Sequence, residues 1–200
     1  MNTITMRNTM NRSGINAVLV PLLVLAAGIL LQGCLLVRTT EHRIKLNDGG
    51  GGEAYMRLTD IRSDGVTDSA RIRDFGVMMA SVELEGIQDF ERNGRKITSK
   101  QFILNGDTLS AEITYTFPQL EDLEGIKIKD DEIFVVVNDG RDIVRTNGKV
   151  KSWERGSQRI VWPIDAKRIM YQIRERTLPP SVSLAGLYVR YNGKPAGGNR

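Results

Sequence analysis

The chain has 200 residues, which favours one domain of ordinary size over several. Apolar residues make up 40% of it and charged residues 26%, a balance that excludes disordered, collagen-like and multi-span membrane proteins. Arg7 and Arg12 belong to a leader, and the remaining 26 basic side chains nearly match the 24 acidic ones, which is not the pattern of a nucleic-acid-binding protein. One Cys and one His exclude a disulfide framework and a Cys/His zinc site, and a Cys–His or Ser–His catalytic pair would require His42.

The first residues have the organisation of an export signal. Arg7 and Arg12 precede an unbroken apolar stretch of 15 residues, Ala17 to Leu31. This stretch is shorter than the roughly 20 residues that cross a bilayer as a helix. Leu35-Leu36-Val37 can extend it to spanning length, so an uncleaved membrane anchor is the alternative. Both interpretations keep the start of the chain in the cytoplasm and export the residues after about 37.

The single cysteine, Cys34, stands at the end of the apolar stretch. Leu31-Gln32-Gly33-Cys34 resembles the lipobox of bacterial lipoproteins, with Leu31 and Gly33 at the signal-recognition positions and Gln32 in place of the usual small residue. The resemblance implies a diacylglyceryl group on the sulfur of Cys34, cleavage before it, and acylation of the new amine, so that palmitate-type chains hold the protein on the membrane. By resemblance to enterobacterial lipoproteins, Leu35 rather than Asp after the cysteine implies the outer membrane over the cell membrane.

We therefore predict a lipoprotein signal peptide at 1–33, a single lipid-anchored domain at 34–193 and a flexible tail at 194–200. Alternating apolar and polar residues predict a β-hairpin from about Val37 to Ile61 around a glycine-rich turn. A helix capped by Asp68 or Ser69 follows. Its apolar positions at helical spacing are Ile72, Phe75, Met79 and Val82.

The rest of the chain is predicted to consist mainly of hairpins. Lys96 to Leu104 and Thr108 to Phe117 read as strands around Asn105-Gly106-Asp107, and 119–123 as one helical turn. Further strands are predicted at 133–137, 142–145, 150–154, 159–162 and 165–176, although the last segment also fits a helix, and a short helix is predicted at 183–191. Tight turns between strands predict an α+β fold, a mainly antiparallel sheet with two or so short helices packed on it.

This order of elements resembles the LppM-like group of lipid-anchored envelope proteins, whose function is unknown. The residues that carry the resemblance are Cys34, Asn47-Asp48, the glycines 49–52 and Trp162-Pro163. The resemblance supports the fold and transfers no catalytic residue.

Two motifs suggest chemistry that their context does not support. Gly49, Gly51 and Ala54 fit G-x-G-x-x-A, but the next residues alternate with a period of two, so no helix begins there to receive a pyrophosphate. The acidic clusters at 121–124 and 130–132 lack the ligand spacing of a calcium loop and indicate solvated turns.

His42 and a basic stretch are further candidates. Alternation puts His42 on the face of Ile44 and Leu46, where a packed histidine is expected. A basic patch that could face anionic lipid headgroups is predicted around Trp153, with an ordinary solvated face as the alternative. Its residues are Lys149, Lys151, Arg155 and Arg159.

The sequence thus predicts a non-enzymatic, lipid-anchored envelope protein that binds or supports another envelope component. The alternatives are a periplasmic carrier of a small ligand such as a lipid, which requires an apolar cavity, and an envelope enzyme that uses converging carboxylates. No cofactor, metal or nucleic-acid partner is expected. The expected partners are the membrane, through acyl chains on Cys34, and an envelope protein or an anionic lipid.

Overall fold

The computed structural model describes residues 34–82, 91 and 94–192 of the chain. The predicted signal peptide at 1–33, with Leu31 and Gly33, and the predicted tail at 194–200 lie outside these described residues. The described residues form two antiparallel sheets and two helices, which confirms the α+β prediction.

A long hairpin forms the centre of the fold. Its strands are β1 (Leu35–Leu46) and β2 (Gly52–Ser63), which pair antiparallel and confirm the predicted hairpin. The start of β2 requires glycine, because a Cβ on Gly52 would overlap the carbonyl oxygen of Lys45. The glycine run that formally fits a nucleotide-binding motif is therefore the turn between two antiparallel strands.

The hairpin belongs to a seven-stranded sheet, called the long sheet here. Its order is β3-β4-β2-β1-β10-β7, and a short strand, β11, pairs with the end of β2. Register shifts interrupt the pairing of β3 with β4 and of β10 with β7. The added strands are β3 (Lys96–Asn105), β4 (Thr108–Phe117), β7 (Arg141–Thr146), β10 (Arg168–Glu175) and β11 (Val182–Ser183).

A second sheet, called the small sheet, has four strands in the order β5-β6-β9-β8. Its strands are β5 (Ile126–Lys129), β6 (Glu132–Val137), β8 (Lys149–Ser152) and β9 (Gln158–Pro163). Asp130 and Asp131 both adopt positive φ angles in the turn between β5 and β6, which agrees with the prediction that these acids lie in a turn.

Two α-helices and two single helical turns complete the described fold. The α-helices are α1 (Asp68–Val82) and α2 (Ala185–Asn192), and the 3-10 turns are Leu120–Asp122 and Glu154–Gly156.

One face of the long sheet carries two hydrophobic clusters. Near the glycine-rich turn, its inward residues such as Ile44 and Ala54 pack against Ile133 and Trp162 of the small sheet. Towards Cys34, residues of β2, β3 and β4 pack instead against α1 and α2; this cluster contains Ile61, Phe75, Met78, Leu109, Ala111, Leu184 and Ala185. Both layers pack on the same face of β4, because Leu109 and Ala111 of one cluster and Tyr115 and Phe117 of the other are alternate residues of that strand.

Several local predictions were wrong in detail. The helix cap is Thr67 rather than Asp68 or Ser69, since the Thr67 hydroxyl accepts a hydrogen bond from the Ala70 amide at 3.2 Å. Ile72 faces outward and is exposed, because α1 buries Ala70, Asp74, Phe75 and Met78 instead.

Strand and helix ends also differ from the predictions. The strand predicted at 150–154 ends at Ser152, and Glu154 begins a 3-10 turn. The last helix begins at Ala185 because Ser183 pairs with β2, and its hydroxyl accepts a hydrogen bond from the Ala185 amide. The sequence did not predict β5 at all. The segment 165–176, which fitted both structures, contains the strand β10.

Candidate functional site

A groove opens between the long sheet and one side of the small sheet. The two helices cover β2, β3 and β4 towards Cys34, and the small sheet covers the opposite end. Between them, the first half of β1 and the last half of β10 line a cavity together with Val135 and Val136 of the small sheet. The cavity there has a volume of about 570 Å³, within the range of about 300–1,000 Å³ that is usual for small-molecule sites.

This cavity, called the β1–β10 groove, is lined mainly by apolar residues. The first three residues of β1, which directly follow Cys34, form one part of its wall. The apolar lining consists of Leu35, Leu36, Val37, Val135, Val136, Tyr171, Ile173, Leu178 and Pro179. The polar lining consists of Arg38, Thr40, His42, Arg141, Glu175 and Thr177.

The charged residues of the groove are paired with each other or with neighbours. Arg141 and Glu175 are cross-strand partners on β7 and β10, and their Nε and Oε1 atoms lie 2.6 Å apart. The Nε of Arg38 donates to Oδ2 of Asp60 at 2.9 Å. Glu175 is the carboxylate among the residues that line the groove, so two unpaired carboxylates do not converge there.

His42 and Tyr171 form the inner end of the groove. Their rings stack with centroids 4.7 Å apart and an interplanar angle of 21°, because β1 and β10 place them directly opposite each other. Both residues also line a second cavity of about 350 Å³, on the side of Ile44 and Tyr115. The sequence predicted a packed His42, and the structure confirms it.

Burial keeps His42 uncharged at neutral pH. Desolvation lowers its pKa from 6.5 to about 4, against a smaller opposing effect of Glu41. Burial likewise raises the pKa of the Tyr171 hydroxyl. The inner end of the groove is therefore a pair of neutral rings and is compatible with an apolar ligand.

This lowered pKa makes stability depend on pH. The unfolded chain binds the His42 proton at a higher pH than the folded chain, so stability is complete above pH 6.5 and falls as the pH drops towards 4. Between pH 7 and pH 5 we expect a loss of about 2 kcal/mol from His42 alone. Urea unfolding of the native chain and of the His42→Phe variant at pH 7 and pH 5 measures this loss of unfolding free energy. An equal loss in both proteins would contradict this contribution of His42.

Cys34 is an exposed free cysteine immediately before β1. Its amide nitrogen donates to a carboxylate oxygen of Asp64, and its carbonyl oxygen accepts from the Asp64 amide at 3.3 Å. These bonds attach Cys34 to the residue that follows β2. The thiol therefore lies at the edge of the folded body, with no spacer before the first strand.

The predicted basic patch is partly neutralised in the fold. Glu132 contacts Lys151 at 2.5 Å and Arg159 at 3.9 Å. The guanidinium of Arg159 also lies 4.5 Å from the centroid of the Trp153 ring. Lys149 and Arg155 are exposed, so the structure brings Lys151 and Arg159 together around one carboxylate and leaves the other two at the surface.

Sequence reasoning identified Cys34 and His42 but missed the β1–β10 groove. The groove depends on the pairing of β1 with β10, whose partners are more than a hundred residues apart, and no local pattern reports it. Within residues 34–82, 91 and 94–192, no helix is long and apolar enough to cross a membrane. The same part of the chain contains no group of three or more His, Cys, Asp or Glu side chains placed to hold a metal ion.

Because comparisons with known proteins found no match, a functional conclusion rests on the fold and on the groove. No protein-family model, no curated protein and no solved structure matches this chain.

Proposed function

We propose that the protein is an exported lipoprotein of the cell envelope, attached to the membrane through acyl chains on Cys34, and that it acts by binding rather than by catalysis. The observation that carries this proposal is the β1–β10 groove, which begins at the residue after Cys34. An apolar groove beside a membrane attachment point suits a ligand that itself comes from a membrane. The outer membrane is the favoured location, since Leu35 follows the cysteine.

The groove favours the carrier form of this proposal over a purely structural role. Its neutral ring pair and aliphatic residues suit a hydrocarbon chain, because each buried methylene contributes about 0.8 kcal/mol. Arg38 and Arg141, which belong to the polar lining of the groove, can contact a polar head group. We therefore propose an amphipathic small molecule with a single hydrocarbon chain as the ligand class.

A photo-crosslinking experiment tests the groove as the binding site. The full-length protein is reconstituted in vesicles of phosphatidylethanolamine and phosphatidylglycerol that contain a fatty acid with a diazirine group. After irradiation, we expect adducts on peptides that contain Leu36 or Ile173. Leu178→Glu puts a charge into the groove wall and should lower the yield on these peptides about tenfold, the equivalent of about 1.4 kcal/mol.

Val144→Glu is the matched control. Val144 is an exposed apolar residue of β7 that does not line the groove, so the same substitution there should leave the crosslinking yield unchanged. Adducts that are spread evenly over the surface, or an equal yield in both variants, would contradict the carrier role.

A further inference from the structure

The end of the molecule that carries Cys34 exposes several aliphatic side chains. Val66 is 83% exposed, Ile72 57% and Val182 46%, and Leu35 is also exposed. Single exposed apolar residues are ordinary on soluble proteins, so exposure alone does not define a binding surface. Their position relative to Cys34 is what distinguishes these four.

The fold brings the four residues to one end of the long sheet. Leu35 and Val182 pair with the same residue, Ser63, from opposite sides. Ser63 is followed by the loop that contains Val66. Ile72 and Val182 line one shallow cavity between α1 and α2.

The attachment point leaves this end no freedom to move away from a bilayer. One extended residue spans at most about 3.6 Å, and Cys34 is adjacent to the first residue of β1. The hydrogen bonds between Cys34 and Asp64 further fix the cysteine to the body. Acyl chains on the sulfur therefore hold this end within a few ångströms of the lipid headgroups.

We propose that the Cys34-end surface, defined by Leu35, Val66, Ile72 and Val182, docks directly on the lipid bilayer. This inference rests on the proposed function, which places the membrane at Cys34. An uncleaved leader would enter the fold at the same point and would bring the same surface to the membrane.

The charges of this end are consistent with an apolar rather than an electrostatic contact. Asp60 pairs with Arg38 at 2.9 Å and with Arg62 at 3.2 Å. Arg71 pairs with Asp68 at 3.0 Å. Because basic and acidic groups largely balance there, docking should depend little on salt or on anionic lipid.

Docking in this orientation also gives the groove a route to its ligand. Leu35 belongs to the Cys34-end surface and lines the β1–β10 groove as well. Docking would therefore bring the part of the groove lined by Leu35 close to the headgroup region, from which an amphipathic molecule can enter.

Depth-dependent fluorescence quenching tests this orientation. An acylated Cys34 leaves a new cysteine as the one thiol of the chain, so Val66→Cys and Val182→Cys can each carry a nitrobenzoxadiazole probe. The control is Ile164→Cys, because Ile164 is 45% exposed and lies beside Leu46, at the opposite end of β1. Leu46 lies about 36 Å along β1 from Leu35.

In vesicles that contain nitroxide-labelled lipid, we expect quenching at positions 66 and 182 to exceed that at position 164 at least threefold, at low and at high salt. Equal quenching at the two ends, or quenching that high salt removes, would overturn the docking surface. The mass of the unsubstituted protein from the same vesicles reports the attachment separately. A bare Cys34 would contradict the proposed function. The three cysteine variants are then made in the Cys34→Ser background, where selective quenching would still support docking at this end.

Discussion

Replacing Cys34 with serine should abolish acylation of the protein and leave its leader uncleaved. The serine hydroxyl cannot form the thioether that the proposed attachment requires, and in the lipoprotein pathway cleavage follows that modification. One acyl chain holds a protein only marginally on a membrane, whereas two or three chains on one residue hold it essentially permanently. The substitution therefore removes the whole proposed attachment while it changes a single exposed atom of the fold.

Metabolic labelling with a palmitate analogue and intact mass spectrometry measure this effect. The native protein should begin at an acylated Cys34, and the Cys34→Ser protein should carry no label and retain residues 1–33. Val144→Ser places the same side chain at an exposed position on β7 and should be labelled like the native chain. Undiminished label in the Cys34→Ser protein, or a native protein that keeps its leader, would support the uncleaved anchor instead.

Substituting Gly148 by alanine should destabilise the fold strongly, although it adds a single methyl group. A Cβ at this position would lie 2.5 Å from Cε2 of Trp162 and 2.7 Å from Cγ2 of Ile160. Both neighbours are buried in the small sheet, so neither can move without disturbing the core. We expect a loss of about 3 kcal/mol, as is typical of overpacked cores.

The neighbouring residue explains why this turn is sensitive. The Oδ1 atom of Asn147 accepts hydrogen bonds from Nε1 of Trp162 at 2.7 Å and from the amide of Met170 at 2.8 Å. Trp162 belongs to the small sheet and Met170 to the long sheet, so this side chain joins the two layers. A shift of Trp162 would break that link and leave a buried donor unsatisfied.

Gly76→Ala is the matched control for this prediction. Gly76 lies in α1 with open space around its Cα, so alanine should stabilise the helix by about 0.5–1 kcal/mol. Urea unfolding followed by tryptophan fluorescence compares the two variants. If Gly148→Ala were as stable as Gly76→Ala, the close contact with Trp162 would not limit this position.

The sequence predicted most of the strands because their burial alternates. In β4, Leu109, Ala111, Tyr115 and Phe117 are buried on one face, as the alternation indicated. The prediction failed where the signal was short or where tertiary contacts decided the outcome. The four residues of β5 carry too little pattern to distinguish a strand, and the outward position of Ile72 depends on how α1 packs on β2 and β4.

Of the candidate site, the sequence singled out Cys34, where we propose attachment. The apolar stretch before Cys34 and the resemblance to a lipobox are local patterns, so they are visible without the fold. The stacking of His42 on Tyr171 and the β1–β10 groove arise from strand order and from the incomplete cover of one sheet face. Those features are properties of the whole fold, so local sequence patterns do not predict them.

Under the proposed membrane attachment, the interrupted edges of the long sheet affect how neighbouring copies of the protein interact. Proteins confined to a surface meet far more often than proteins in free solution, and a regular open strand would recruit its neighbours into fibres. Both border strands deviate from regular pairing, through the shifts at Ile97/Ser99 and Gln172/Ile173. Lys96 and Lys100 on β3, and Arg141 and Arg145 on β7, add charge to those borders. These features should keep neighbouring copies from self-association at high surface density.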